Sequence, residues 1–215
     1  MVNANKTQIT IDKKNGQYFT TVFEPGNYQI KWLNGKVTTS SLFQPNQTQS
    51  IFNNWTLKFD TAWGGPSFVK IDTLKSWTEF SDLGIKYYSG TAVYANEFAV
   101  TSAQLKDKKI ILDLGNVLEM ASIIINGNKI AVKWNAPYQF DISKYIHDGN
   151  NQLEVTVVNL WPNRLIGDSK LPVNQRRTKT NVLKYEAADA ETLLRPSGLL
   201  GPVNLLFLQY GKIQN

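Results

Sequence analysis

Apolar and polar positions alternate along much of this chain, and a period of two predicts strands with one buried face. Tyr28-Gln29-Ile30-Lys31-Trp32 and Trp55-Thr56-Leu57-Lys58-Phe59 show it cleanly. Ala92 to Phe98 and Tyr138 to Ile142 repeat it, and Lys109 to Leu114 follows it less strictly. Leu153 to Leu160 is the longest such run, and Val203 to Leu208 is the last. Gly16 to Phe23 is rich in β-branched and aromatic residues, and Pro25-Gly26 supplies a turn after it. Asn34-Gly35 and Asn126-Gly127 each sit between apolar runs, which predicts type I′ hairpins because both central residues must accept positive φ. Residues 7–40 therefore read as a small antiparallel unit. The polar, Asn/Gln-rich stretch from Ser40 to Asn54, with Pro45 inside it, reads as a linker or long connection.

Helical signals are sparse. Asp72–Trp77 and Asp141–Ile146 each have room for one short turn, and Tyr185–Leu194 for a few turns ending before Pro196. Without crossover helices the strands cannot form a parallel α/β sheet. The expectation is an all-β, antiparallel jelly-roll sandwich over residues 51–215, preceded by a small β-hairpin unit and linker over residues 1–50.

At 215 residues the chain can bury a core without covalent staples. It has no cysteine, which excludes thiolate metal sites, thiol nucleophiles and disulfides. Its one histidine, His147, lies in a polar turn, so neither a multi-imidazole zinc site nor a Ser-His-Asp triad fits well. The net charge of +6 raises the question of a polyanion partner. Its one cluster, Arg176, Arg177, Lys179 and Lys184, reads as a solvated loop, with a polyanion site as the alternative. No nucleic-acid-binding motif and no Gly-rich phosphate loop is present. No run reaches about 18 apolar residues, so no membrane span is predicted. Met1 to Lys6 has no apolar signal core, so any export signal is expected upstream of this chain or does not exist. Asn5-Lys6-Thr7, Asn46-Gln47-Thr48 and Asn54-Trp55-Thr56 fit the glycosylation triplet, as an Asn-rich chain will by chance.

The segment Trp161-Pro162-Asn163-Arg164-Leu165-Ile166-Gly167-Asp168 directly follows the longest strand, where sandwiches place ligand loops. Trp161 offers a flat face to a sugar ring, and Asn163, Arg164 and Asp168 offer directional hydrogen bonds to hydroxyls. The alternative is internal: Arg164 and Asp168 pair and pin a long loop, with Trp161 as its buried anchor. Trp134 and Tyr138, just after the second hairpin, form another candidate platform or an aromatic sheet corner. Trp63-Gly64-Gly65-Pro66 reads as a turn with the same two alternatives.

Tyr88 to Tyr94, Leu112 to Gly115, Ile125-Asn126-Gly127, Phe140-Asp141-Ile142 and Gly149 to Val155 resemble the sugar-binding jelly-roll domain of family 2 glycoside hydrolases. That domain is one of the galactose-binding-like sandwiches. Trp77-Thr78, Gly84 to Ala92, Trp161 to Asp168 and Pro196 to Val203 look closer still to the C-terminal region of family 106 α-L-rhamnosidases. The resemblance covers about residues 55–208. It implies a non-catalytic, carbohydrate-associated module of a larger bacterial enzyme that is secreted or periplasmic. Its partners would be carbohydrate and the parent's catalytic domain, with the catalytic carboxylates on a separate barrel that 215 residues of strand pattern cannot also hold. It also implies a structural calcium ion, with no ligand set located. A purely structural scaffold packing on the parent barrel is the main rival. A self-contained hydrolase and a polyanion binder are the others.

Overall fold

Alternating side chains bury one face of a sheet only if a second layer covers it, and here two antiparallel sheets meet across one apolar core. A computed structural model of the protein describes residues 9–22, 26–42, 47–187 and 189–213. Phe23, Pro25, Pro45, the triplet at Asn5 and the Asn46 of the second triplet lie outside the described residues.

The chain begins with β1 (Ile9–Lys14), β2 (Gln17–Val22), β3 (Gly26–Lys31), β4 (Val37–Leu42) and β5 (Gln47–Ile51). It continues with β6 (Trp55–Phe59), β7 (Val69–Ile71), the single turn α1 (Leu83–Lys86), β8 (Thr91–Val100) and α2 (Ser102–Leu105). Then come β9 (Lys108–Asp113), β10 (Asn116–Leu118), β11 (Met120–Ile125), β12 (Asn128–Lys133), β13 (Gln139–Asp141) and β14 (Gly149–Val158). Helix α3 (Pro162–Ser169) precedes β15 (Gly198–Gly201), β16 (Val203–Gln209) and β17 (Gly211–Lys212).

The larger sheet runs β12-β11-β14-β8-β6-β7 and the smaller β13-β9-β16-β5. At the centre of the larger sheet β8 and β14 pair over ten residues, from Gly149↔Val100 to Val158↔Thr91. Ala92, Tyr94, Phe98, Leu153, Val155 and Val157 point inward from this pair. They share the core with Leu112, Phe140, Val203, Leu205 and Phe207 of the smaller sheet. Each large side chain so buried contributes about 1.5–3 kcal/mol. The expected all-β antiparallel sandwich is what the chain forms.

Asn126 and Gly127 both take positive φ and Ile125 pairs with Asn128, so this turn is the two-residue hairpin its sequence predicts. Asn34-Gly35 also marks a hairpin, between β3 and β4, but of another type. Gly35 alone takes positive φ, and its N–H donates to the Trp32 carbonyl at 2.9 Å. That is the longer loop in which a glycine closes an ordinary turn.

Other expectations are corrected. The polar stretch from Ser40 to Asn54 is not all linker. β4 runs through Ser41, and β5 pairs with β16 at the edge of the smaller sheet, from Ile51↔Val203 to Gln47↔Phe207. An edge strand needs one ladder and few core side chains, so polar residues suffice, with Ile51 buried as the anchor. The turn expected at Asp72–Trp77 lies later, as a 3₁₀ turn at Trp77–Glu79 capped by Ser76. Tyr185–Leu194 holds two 3₁₀ turns, Leu183–Glu186 and Ala190–Leu193.

The N-terminal strands are tied to the sandwich at two points. β17 returns to pair with β2. Lys109, nearly buried in β9, reaches Asp12 of β1 at 3.1 Å and Asp141 at 3.5 Å. Among the described residues no helix is long and apolar enough to cross a membrane.

Where the smaller sheet closes on β15, Gly115 takes φ +63° against the backbone of Gly201. A Cβ there would lie 2.5 Å from the Gly201 carbonyl, which is backbone and cannot swing aside. Gly115→Ala should therefore lower stability by about 2–3 kcal/mol. Urea unfolding should show a lower midpoint at an unchanged slope, and an unaltered midpoint would refute the packing argument.

Candidate functional site

β14 ends at Val158, and three residues later the chain turns into α3. Pro162 occupies the first helical turn, where its missing N–H costs nothing. Gly167 lets the helix lie against Tyr87; a Cβ there would be 2.5 Å from the Tyr87 Cβ. The expected long loop is thus a two-turn helix whose inner face carries Asn163, Arg164, Ile166, Gly167 and Asp168.

Two of the candidate polar residues spend their hydrogen-bonding groups inside the fold. Asn163 donates to the Arg195 carbonyl at 2.8 Å and to Ser197 Oγ at 3.1 Å, and its Oδ1 accepts the Arg195 N–H at 2.9 Å. It is the clamp between α3 and the segment leading into β15. Asp168 Oδ2 accepts the Thr178 N–H at 2.7 Å and its hydroxyl at 2.6 Å. Tyr138 is likewise buried, its hydroxyl donating to the Glu119 carbonyl. All three face inward because each secures a segment that has no ladder of its own.

Arg164 is different. It is only 4% exposed, yet it borders an opening. Nη2 donates to the Trp63 carbonyl at 2.7 Å, and Nη1 lies 3.7 Å from Asp168 Oδ1, an ion pair too long for a hydrogen bond. Its Nε and Asp168 Oδ1 have no hydrogen-bond partner. Burial pushes the guanidinium below its ordinary value; the charge of Asp168 opposes the shift, and nearby Arg177 adds to it. Arg177 itself lies on the turn at Gly64, where a Cβ would come 2.7 Å from its guanidinium carbon.

The opening beside Arg164 is a cleft of about 230 Å³ bordered by Asp60, Trp63, Ser89, Gly90, Thr91 and Trp161. Trp161 is 57% exposed, so it is not the buried anchor of the alternative reading. Its ring stands edge-to-face to Trp63 at 5.9 Å. Asp60 caps the Thr61–Trp63 turn through Oδ1, which accepts the Ala62 N–H at 2.9 Å. The cleft thus combines an aromatic plane, a buried cation and an exposed carboxylate. The sequence singles out Trp161 and Arg164 and leaves Trp63 open between platform and structural turn, but gives no role to Asp60. The capping pattern of Asp60 before Thr61 was the one local signal.

Trp134, 81% exposed, lines a separate shallow depression with Val132, Asn135 and Pro137. His147 lies on an exposed turn with Nδ1 near the Asp148 carbonyl. Arg176 of the basic cluster pairs with Glu186 at 2.7 Å and bonds the Leu171 carbonyl. Among the described residues no three His, Cys, Asp or Glu side chains gather to hold a metal ion, so the implied calcium has no such ligand set there.

Residues 78–190 match the family described as glycosyl hydrolase 2 galactose-binding domain-like. A Formosa agariphila protein that carries the name β-glucuronidase is 35% identical over 222 residues, covering 94% of this chain and 19% of its own length. A solved rhamnosidase from Novosphingobium sp. PP1Y superposes with a TM-score of 0.68 at 25% identity, over 96% of this chain and 24% of its own. A Ruminococcus gnavus β-glucuronidase shares the fold at a TM-score of 0.53 and 22% identity, over 75% of this chain and 28% of its own. The chain thus spans between 19% and 28% of the length of these larger proteins.

Asp168→Ala should cost about 3–5 kcal/mol, because it strands a buried cation and frees the Thr178 segment. A chemical-unfolding midpoint equal to wild type would sink the clamp reading. Glu191 predicts a pH effect. Hydrogen bonds from Tyr87, then from Lys170 and Lys86, hold its carboxyl at about 2, below an unfolded value of about 4.3. Its contribution is therefore full above about pH 4.3 and lost as pH falls toward 2. The carboxylate is 39% exposed, so the effect is modest and salt-sensitive. Glu191→Gln should reduce the difference in urea midpoint between pH 6 and pH 3.

Proposed function

The chain belongs to the glycosyl hydrolase 2 galactose-binding domain-like family, and from that membership we propose that it is a non-catalytic, carbohydrate-associated module of a larger glycoside hydrolase. On this reading the parent is α-L-rhamnosidase-like and works outside the bacterial cytoplasm. The better superposition on the rhamnosidase than on the β-glucuronidase supports the first point. The small share of each relative that the chain spans supports an accessory role.

The module meets sugar in the cleft between Trp161 and Trp63. One observation carries this: an indole half open to solvent on a rigid helix start, beside a buried guanidinium. The CH face of a sugar ring covers the Trp161 plane, and the quadrupole of the ring favours those polarised hydrogens. Arg164 donates to a ring hydroxyl and Asp60 accepts from one, which fixes orientation. The volume suits one ring rather than an extended chain.

A second reading is a scaffold that packs on the parent catalytic domain and binds no ligand. Val132 and Trp134, both exposed at the β12 edge of the larger sheet, favour it. Calorimetric titration with rhamnose-containing oligosaccharides separates the two. Sugar binding predicts measurable heat with the wild-type chain and at least about a tenfold weaker association for Trp161→Ala. No heat with sugar, together with association with the separately expressed catalytic domain that Trp134→Ala weakens, would establish the scaffold instead.

A further inference from the structure

We propose that the outward face of the larger sheet carries a second binding site, a groove for an extended, uncharged glycan chain. It is independent of the Trp161 cleft. The register places Thr56 opposite Ala95, Ala95 opposite Glu154 and Glu97 opposite Gln152. Their neighbours Leu57, Tyr94, Asn96, Leu153 and Val155 are buried, so this second set points away from the core. Glu154 and Val158 are four residues apart on β14, so the groove lies about 14 Å along the strand from the end of β14 that leads into α3.

Small side chains give the groove its floor: Thr56 and Ala95 leave the sheet surface low between taller neighbours. The connection from β5 to β6 raises one wall, and Phe52 stands on it, 69% exposed. That wall is fixed rather than loose. Asn96, almost fully buried, donates to the Asn53 carbonyl at 2.7 Å and accepts the Glu97 N–H through Oδ1 at 2.7 Å. Asn54 holds φ at +60°, which turns the chain back into β6. Gln49 braces the far end through the Ala99 carbonyl at 2.9 Å. The enclosed volume is about 610 Å³, more than twice that of the Trp161 cleft. It falls within the roughly 300–1,000 Å³ usual for ligand sites.

The lining chemistry selects the ligand. No Lys, Arg or His lines the groove. Glu97 and Glu154 take part in none of the ion pairs among the described residues. Two carboxylates and the Gln152 amide are therefore available to hydroxyl donors, and Phe52 is available to a CH face. A chain of neutral sugars presents both along its length. Lys70, paired with Thr56, and Lys58 lie on the same face outside the lining. Within the groove a uronate or sulfated chain meets two carboxylates that form no ion pair among the described residues, a repulsion that salt screens and these lysines moderate. The groove discriminates against anionic glycans even though the protein as a whole carries +6.

Affinity gel electrophoresis of the 215-residue chain tests this, with galactomannan, xyloglucan or arabinoxylan in the gel and polygalacturonate as the anionic probe. The expected result is retardation by at least one neutral polysaccharide and none by polygalacturonate at low salt. Measured in the Trp161→Ala background, which removes any contribution of the first cleft, Phe52→Ala should weaken that retention about tenfold. Because Phe52 is exposed, its variant should keep the wild-type unfolding midpoint. The double variant Glu97→Gln with Glu154→Gln should gain retention by polygalacturonate. Free migration in all three neutral gels, or retention undiminished by Phe52→Ala in that background, overturns the proposal. So does capture by a basic peptide resin that the double variant abolishes, which would make the carboxylates a protein contact.

Discussion

Ten successive residue pairs between β8 and β14 are the constraint from which the rest of the molecule hangs. Because side chains alternate, this one ladder fixes three things together. Its inner face supplies the centre of the core. Its outer face presents Ala95, Glu97, Gln152 and Glu154 in one row. Its end, at Val158, sets where α3 must start. A slip of one residue would exchange the two faces, placing Glu97 and Glu154 in the core. Tyr94 shows how firmly the register is held. Its hydroxyl accepts the Trp77 indole N–H at 2.6 Å and the Leu199 N–H at 3.0 Å, so two further segments are tied to that one position. Burial pushes this hydroxyl above its ordinary pKa.

α3 has no place in either sheet, so other forces must hold it. Ile166 and Tyr87 give it a small apolar contact of their own. The polar clamps do the rest: Asn163 to Arg195 and Ser197, Asp168 to Thr178, Arg164 to Trp63. A buried ion pair seldom stabilises more than a well-packed apolar substitute would. What it does here is positional. Arg164 reaches the carbonyl of Trp63 across a long sequence separation and so sets the two indoles of the cleft edge to face. The same residue serves as fastener and as cleft wall, which is why sequence alone left both roles open.

The strands were legible because their signal is local: two-residue periodicity needs no knowledge of neighbours. β5 was not, since Gln47 to Ile51 carries its single apolar anchor at the end and takes its ladder from β16, some 150 residues away. α3 was expected as a loop because it follows the longest strand and holds Pro162 and Gly167 within two turns. Proline at the first turn is harmless, and the glycine answers to Tyr87, a tertiary neighbour that sequence spacing cannot reveal. The Asn34-Gly35 turn was found in place but mistyped, since Trp32 to Gly35 can close either loop. At the site, Trp161 and Arg164 stood out as unusual residue types after a long strand. Asp60 and Trp63 join them only because the β6 end folds beside β8, a fact of topology.

The packing also dictates where any ligand must sit. Trp55, Trp77, Tyr88, Tyr94 and Phe207 are fully buried between the sheets, so a sugar could enter the interior only by displacing them. Only rim and outer faces remain, and these differ in charge. At the rim, Asp60 and Asp168 offset Arg164 and Arg177; on the outer face Glu97 and Glu154 line the groove while Lys58 and Lys70 stand beside it on β6 and β7. A positively charged chain attracts anionic polymers at long range, within about one Debye length at physiological salt. Within the groove Glu97 and Glu154 oppose that attraction, so an acidic chain drawn in by the net charge is disfavoured there. Long-range attraction and short-range exclusion are then set by different residues, so each can change without disturbing the other or the ladder beneath both.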